Sequence, residues 1–91
     1  MNTPISRVLV ICNPQGLHAR PAEMIARTAQ RFHSRIELRR ESERVDARSI
    51  MDLLTLGAVQ GTELVLEAEG DDAQEAVDVL AAMVENGFPD E

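Results

Sequence analysis

Among the residues of this chain, His18 and Arg20 are the pair best suited by type and spacing to do chemistry, within Gly16-Leu17-His18-Ala19-Arg20-Pro21-Ala22. The segment lies where an apolar strand-like run is broken by Asn13-Pro14-Gln15-Gly16 and helical spacing begins. Pro21 then falls in the first helical turn, where its missing N–H removes no intrahelical bond and its fixed φ favours starting the helix. His18 takes the N-cap region, and the amides of Ala19 and Arg20 are left pointing out of the helix start near the ring. Those amides, the positive end of the helix dipole and the fork of donors on Arg20 make an anion site. The same positive potential disfavours a second positive charge on the imidazole, which leaves a ring lone pair for attack on phosphorus. Once a phosphoryl group is acquired, the site stabilises it. Simple exchange of that group between proteins needs no general base, metal or cofactor, and none is expected. A solvated loop histidine beside an ordinary surface arginine would need neither the glycine nor the proline around it.

A second candidate is Ser49, placed before Ile50, Leu53 and Leu54 at helical spacing, with Asp52 three residues on as a variant of the capping box. Serine is common at an N-cap for structural reasons alone. A phosphate there would add about −1.5 to −2 charge at a helix start, where it is tolerated without unfolding, so its effect would fall on docking. One short helix has difficulty burying Ile50, Met51 and Leu54 together, and Met51 is expected to stay exposed as an adaptable contact. Arg27, on the polar side of the preceding helix, is added to these as a docking residue. His33 reads as a surface residue near a helix C-terminus, Cys12 as a small apolar packing residue, and Arg39, Arg40 and Arg44 as the solvated face of a hairpin.

These sites need elements to hold them. Residues 5–11 read as a strand, and from Ala19 the apolar positions Ala22, Ile25, Ala26, Ala29 and Phe32 follow helical spacing. Residues 36–39 and 43–47 alternate with period two across Glu41-Ser42, as in a hairpin. A short helix after Ser49 stops near Gly57 or Gly61, residues 63–68 form a fourth strand, and a last helix carries Ala76, Val77, Leu80, Met83 and Val84 before Gly87 and Pro89 end it. The order βαββαβα predicts an α+β fold, an open-faced β-sandwich in which a four-stranded antiparallel sheet is covered on one face by two longer helices and one short one.

Composition agrees with one domain over residues 1–91, since 91 residues at 44% hydrophobic composition supply one core. With Phe32 and Phe88 the only aromatics, there is no stacking platform for bases. All nine bases are Arg and lie between Arg7 and Arg48, whereas ten acids and no base follow from Glu63 onward, for a net charge of −7. That balance argues against nucleic-acid binding, while the Arg-bearing half suits phosphate or an acidic protein partner. A lone cysteine, no basic or apolar leader and no long apolar run predict a monomeric cytoplasmic protein without membrane insertion.

The segment from Gly16 to Ala22 resembles the active-site signature of the HPr family of the bacterial phosphoenolpyruvate-dependent phosphotransferase system. Arg48-Ser49-Ile50-Met51 followed by Leu56-Gly57 is similar to the family's second, regulatory signature, and the resemblance extends over essentially the whole chain. It implies that His18 is phosphorylated on Nδ1 by Enzyme I and donates to a IIA-type protein, with Arg20 assisting. It also implies that Ser49 is the target of a dedicated HPr kinase/phosphorylase where one is present, and that the patch at Ile50, Met51 and Leu54 lies beside the active histidine. Asp52 departs from the basic or small residue that some members carry. Residues 86–91 resemble the acidic tail of nitrogen-related carriers, whereas the Ser49 signature looks more like carriers subject to serine phosphorylation, so a sugar branch and a nitrogen branch both stay open. From another class, a small-molecule-binding regulatory domain has the same element order, but it gives no reason for His18 beside Arg20 and Pro21.

Overall fold

The computed structural model describes residues 3–89. Its elements are β1 (Ile5–Val10), α1 (Ala19–Ala29), β2 (Arg35–Arg40), β3 (Glu43–Asp46), α2 (Ile50–Thr55), β4 (Glu63–Glu69) and α3 (Ala73–Glu85). The four strands form one antiparallel sheet in the order β1-β4-β2-β3. This is the expected open-faced arrangement. Boundaries shift slightly: β1 stops at Val10, and α1 stops at Ala29, which leaves Phe32 half-buried beyond its end.

Strand alternation decides which face is covered. Leu9 pairs with Leu64, Leu38 with Leu66 and Ile36 with Ala68, and all six are buried under the helices. Each such Leu or Ile contributes roughly 1.5–3 kcal/mol by leaving water. Against this face α1 sets Ala22, Ile25, Ala26 and Ala29, and α3 sets Ala73, Ala76, Val77, Leu80, Ala81 and Val84. The many alanines let two helices lie close to the sheet and supply the economy that a core almost without aromatics demands. On the open face charges pair instead: Arg44 bridges Glu37 and Glu67 at 2.9 and 2.7 Å, and Arg35 bridges Glu37 and Glu69 at 2.8 Å each.

Several side chains act differently from their sequence reading. Arg40 is not simply solvated; its guanidinium donates to the carbonyls of Leu56 and Gly57 at 2.8 and 3.0 Å and so ties the hairpin to the end of α2. Cys12 is exposed rather than packed in the core, with its thiol donating to the Val84 carbonyl at 3.3 Å. Phe88 is a core residue, 1% exposed, brought inward where Gly87 and Phe88 take positive φ and the Phe88 amide bonds the Met83 carbonyl at 3.0 Å. Of the acidic tail, Asp90 and Glu91 lie outside the described residues, as do Met1 and Asn2.

Candidate functional site

The loop before α1 is held from several directions. Asn13 accepts the Gly16 amide on its carbonyl at 3.1 Å and donates from its side chain to the Gly16 carbonyl at 2.8 Å. The Leu17 amide donates to the Ala58 carbonyl at 2.8 Å, and the Leu17 side chain is buried. Gly16 sits at φ +71 against Ala58 and Val59, so a Cβ there would lie 2.5 Å from the Ala58 oxygen. Only glycine fits. On the far side, Pro21 and Ala22 are buried, and the Ala22 amide closes the first helical turn on the His18 carbonyl at 3.0 Å.

Between these anchors His18 is the N-cap of α1, in extended conformation at φ −87 and ψ −169, with no side-chain hydrogen bond capping the helix. The ring is half-buried with its Nε2 turned inward. Ala19 and Arg20 occupy the first two helical positions, whose amides have no intrahelical carbonyl, and Pro21 has no N–H to offer. This helix start therefore provides the amides and the dipole end that a phosphoryl group on the ring would meet.

The guanidinium of Arg20 is engaged elsewhere in this state. Its Nη1 donates to Glu23 Oε1 at 2.9 Å, and the other carboxylate oxygen, Oε2, meets Arg27 Nη2 at 3.3 Å. The two pairs follow i,i+3 and i,i+4 spacing on the exposed face of α1. Glu23 was not singled out from the sequence, although the Arg-x-x-Glu-x-x-x-Arg spacing was there to be seen.

Ser49 is the N-cap of α2, and its Oγ accepts the Asp52 amide at 3.2 Å, half of the expected capping box. The Ser49 amide itself bonds the Asp46 carbonyl at 3.1 Å. Arg48 fastens this helix start to the end of α1: its guanidinium donates to the carbonyls of Phe32 and Ser34 at 2.6 and 2.9 Å, and Gln30 donates to the Arg48 carbonyl at 3.2 Å. The consequence is that Ile50 shares with Ala19, Arg20 and Glu23 a shallow depression of about 390 Å³. Met51 is 73% exposed, and Ile50 and Leu54 are each 37% exposed, while Leu53 is fully buried. The structure thus leaves three apolar side chains of α2 at the surface and sets Ile50 beside the start of α1, with Arg27 one helical turn past Glu23. Val59, 63% exposed with its backbone against Gly16, is a further exposed apolar residue near the His18 loop and was missed from the sequence. His33 is exposed, and its amide donates to Asp72 at 2.8 Å.

The family model described as PTS HPr component phosphorylation site matches residues 5–86, which include both motifs. The phosphocarrier protein HPr of Cupriavidus necator is 39% identical over 84 residues, covering 92% of this chain and 94% of that protein. The chain belongs to the HPr family. A crystal structure of HPr-C-His from Thermoanaerobacter tengcongensis, 40% identical, superposes with a TM-score of 0.90 over 96% of this chain and 98% of that one. The multiphosphoryl transfer protein of Haemophilus influenzae is 40% identical over 87 residues, and there the match spans 92% of this chain but 17% of the longer protein. As an HPr-family chain it is a phosphocarrier of the phosphotransferase system and not an enzyme acting on a substrate of its own. No helix among the described residues is long and apolar enough to cross a membrane.

Proposed function

We propose that His18 accepts a phosphoryl group from Enzyme I and passes it to a IIA-type protein, in sugar uptake or its regulation. The observation that supports this most is the placement of His18 as N-cap of α1, directly before the outward amides of Ala19 and Arg20. In the first transfer the bond between donor and phosphorus breaks as a ring nitrogen of His18, Nδ1 by family resemblance, forms the new one. The second transfer repeats this with the acceptor. The carrier is therefore consumed stoichiometrically and regenerated, with no water, metal or cofactor entering the step. The amides and the Arg20 fork take up the charge of the dianion.

Docking of both partners is assigned to Ile50, Met51, Leu54 and Arg27, of which Ile50 borders the start of α1. Serine phosphorylation at Ser49 by an HPr kinase/phosphorylase would place a dianion at the start of α2, beside that patch. Incubation with phosphoenolpyruvate and Enzyme I should give an acid-labile, base-stable adduct on His18. Equal labelling of His18→Ala would overturn the reading. Comparing sugar-branch with nitrogen-branch Enzyme I in the same assay assigns the pathway.

A further inference from the structure

Resting on the assignment of His18 as phosphoryl acceptor, we propose that Glu23 is a positioning residue that holds the Arg20 guanidinium in the unphosphorylated carrier and yields it to the phosphoryl group. The Arg20 guanidinium is tied along α1 by its Nη1, which donates to Glu23 Oε1 at 2.9 Å, so one of its five donors is held by Glu23 and the plane of the fork is set by that carboxylate. Glu23 is also the side chain best able to keep a second cation close, since its Oε2 meets Arg27 at 3.3 Å. Removing Arg20 from Glu23 therefore does not strand the carboxylate, because Arg27 remains as its counter-ion.

The exchange is inexpensive in both directions. The side chains of Arg20, Glu23 and Arg27 are 55, 32 and 75% exposed, and an ion pair in that setting is worth at most about a fivefold factor in an equilibrium. A dianion with three acceptor oxygens beside two backbone amides outcompetes a single carboxylate for a planar fork. No covalent bond changes in this exchange; one hydrogen-bonded partner of Arg20 replaces another. The predicted result is a penalty built into the carrier: Glu23 competes with the phosphoryl group and makes the group easier to hand on. Glu23 also lines the depression shared with Ala19, Arg20 and Ile50, so the exchange occurs where a partner would dock.

The test is a partition experiment. Nitrogen-15-labelled wild type and unlabelled Glu23→Gln, equimolar, are equilibrated with limiting phosphoenolpyruvate and a trace of Enzyme I, and the phosphorylated share of each is read by intact-mass spectrometry at neutral pH. At equilibrium the ratio reports relative hold on the phosphoryl group, which a purely structural surface residue would not alter. We expect Glu23→Gln to carry about two- to fivefold more than wild type. The same comparison between Arg20→Ala and the Arg20→Ala, Glu23→Gln double variant should give equal shares, because the effect runs through Arg20. An even partition in the first pair overturns the positioning role. A bias that persists without Arg20 also overturns it, by showing direct repulsion between Glu23 and the phosphoryl group. If wild type takes up no label, or His18→Ala takes up as much, the carrier assignment itself fails and this inference falls with it.

Discussion

Gly16 packs against Ala58 so closely that a β-carbon on Gly16 would stand 2.5 Å from the Ala58 carbonyl oxygen, the same oxygen that accepts the Leu17 amide at 2.8 Å. The loop that presents His18 is thus seated on the connection between α2 and β4. Gly16→Ala must either shift that backbone or break the Leu17 hydrogen bond, and it also places a side chain at φ +71. The expected loss is about 2–3 kcal/mol of stability, with phosphoryl transfer slowed beyond what the stability loss explains. Thermal unfolding and a transfer assay on the folded fraction measure the two effects separately.

Arg20→Lys keeps the positive charge and removes the planar fork. Losing one charge-assisted hydrogen bond to the phosphoryl group, about 1.4 kcal/mol, would slow transfer about tenfold. Because Arg20 is exposed, Tm should hardly move. Equal rates for wild type and variant would remove Arg20 from the mechanism.

A phosphate on Ser49 should weaken Enzyme I binding with little change in the carrier's own fold. The charge lies at the start of α2 beside Ile50, Met51 and Leu54, and desolvating it against a partner is unfavourable. Ser49→Asp should reproduce the effect only partly, since a carboxylate has less charge and fewer acceptor oxygens. Ser49→Ala should bind normally while costing about 1 kcal/mol of stability, because it removes the acceptor for the Asp52 amide. Titration of each form against Enzyme I, beside thermal unfolding, decides; a large fall in Tm on phosphorylation would point to local unfolding instead.

Asp72 precedes α3, yet its carboxylate reaches across to the loop between α1 and β2. The Ser34 hydroxyl, the His33 amide at 2.8 Å and the Ser34 amide at 2.9 Å all donate to it. These bonds, the Ser34 hydroxyl first, hold its pKa at about 2 against an ordinary 3.8. A depressed carboxylate stabilises the fold fully above the unfolded value, and that contribution disappears as pH falls from 3.8 through about 2. Asp72→Asn should flatten this part of the stability profile. Tm measured from pH 5 down to pH 2 should show wild type and variant converging at the acid end, and a constant difference would contradict the assignment.

Phe88→Ala should cost about 3–5 kcal/mol, as expected for emptying a buried aromatic site. Phe88 is only 1% exposed, and its amide bonds the Met83 carbonyl. Chemical denaturation of the variant measures this; a loss below about 1 kcal/mol would place Phe88 outside the core.

Much of this was legible in the chain because helix starts and strand faces are local matters. Pro21 two residues after Ala19, Ser49 three before Asp52, and the alternation through Leu64, Leu66 and Ala68 each act within one or two turns of chain, where periodicity and capping chemistry determine the outcome. From these the order of elements, the place of His18 at a helix start and the exposure of Met51 follow directly. Residue type alone misled where an arginine or a cysteine had several possible neighbours, as with Arg40 on the carbonyls of α2 and Cys12 on those of α3.

By itself, the sequence determined the βαββαβα order, the start of α1 after His18 and the N-cap at Ser49. Only the tertiary structure decided that Ile50 lies beside Ala19 and Arg20, that Gly16 rests on Ala58, that Arg48 binds Phe32 and Ser34, and that Phe88 fills the core. The physical reason is that such contacts depend on how the helices settle on the sheet. Packing and the need to satisfy buried carbonyls select one partner from many that local spacing leaves equally available.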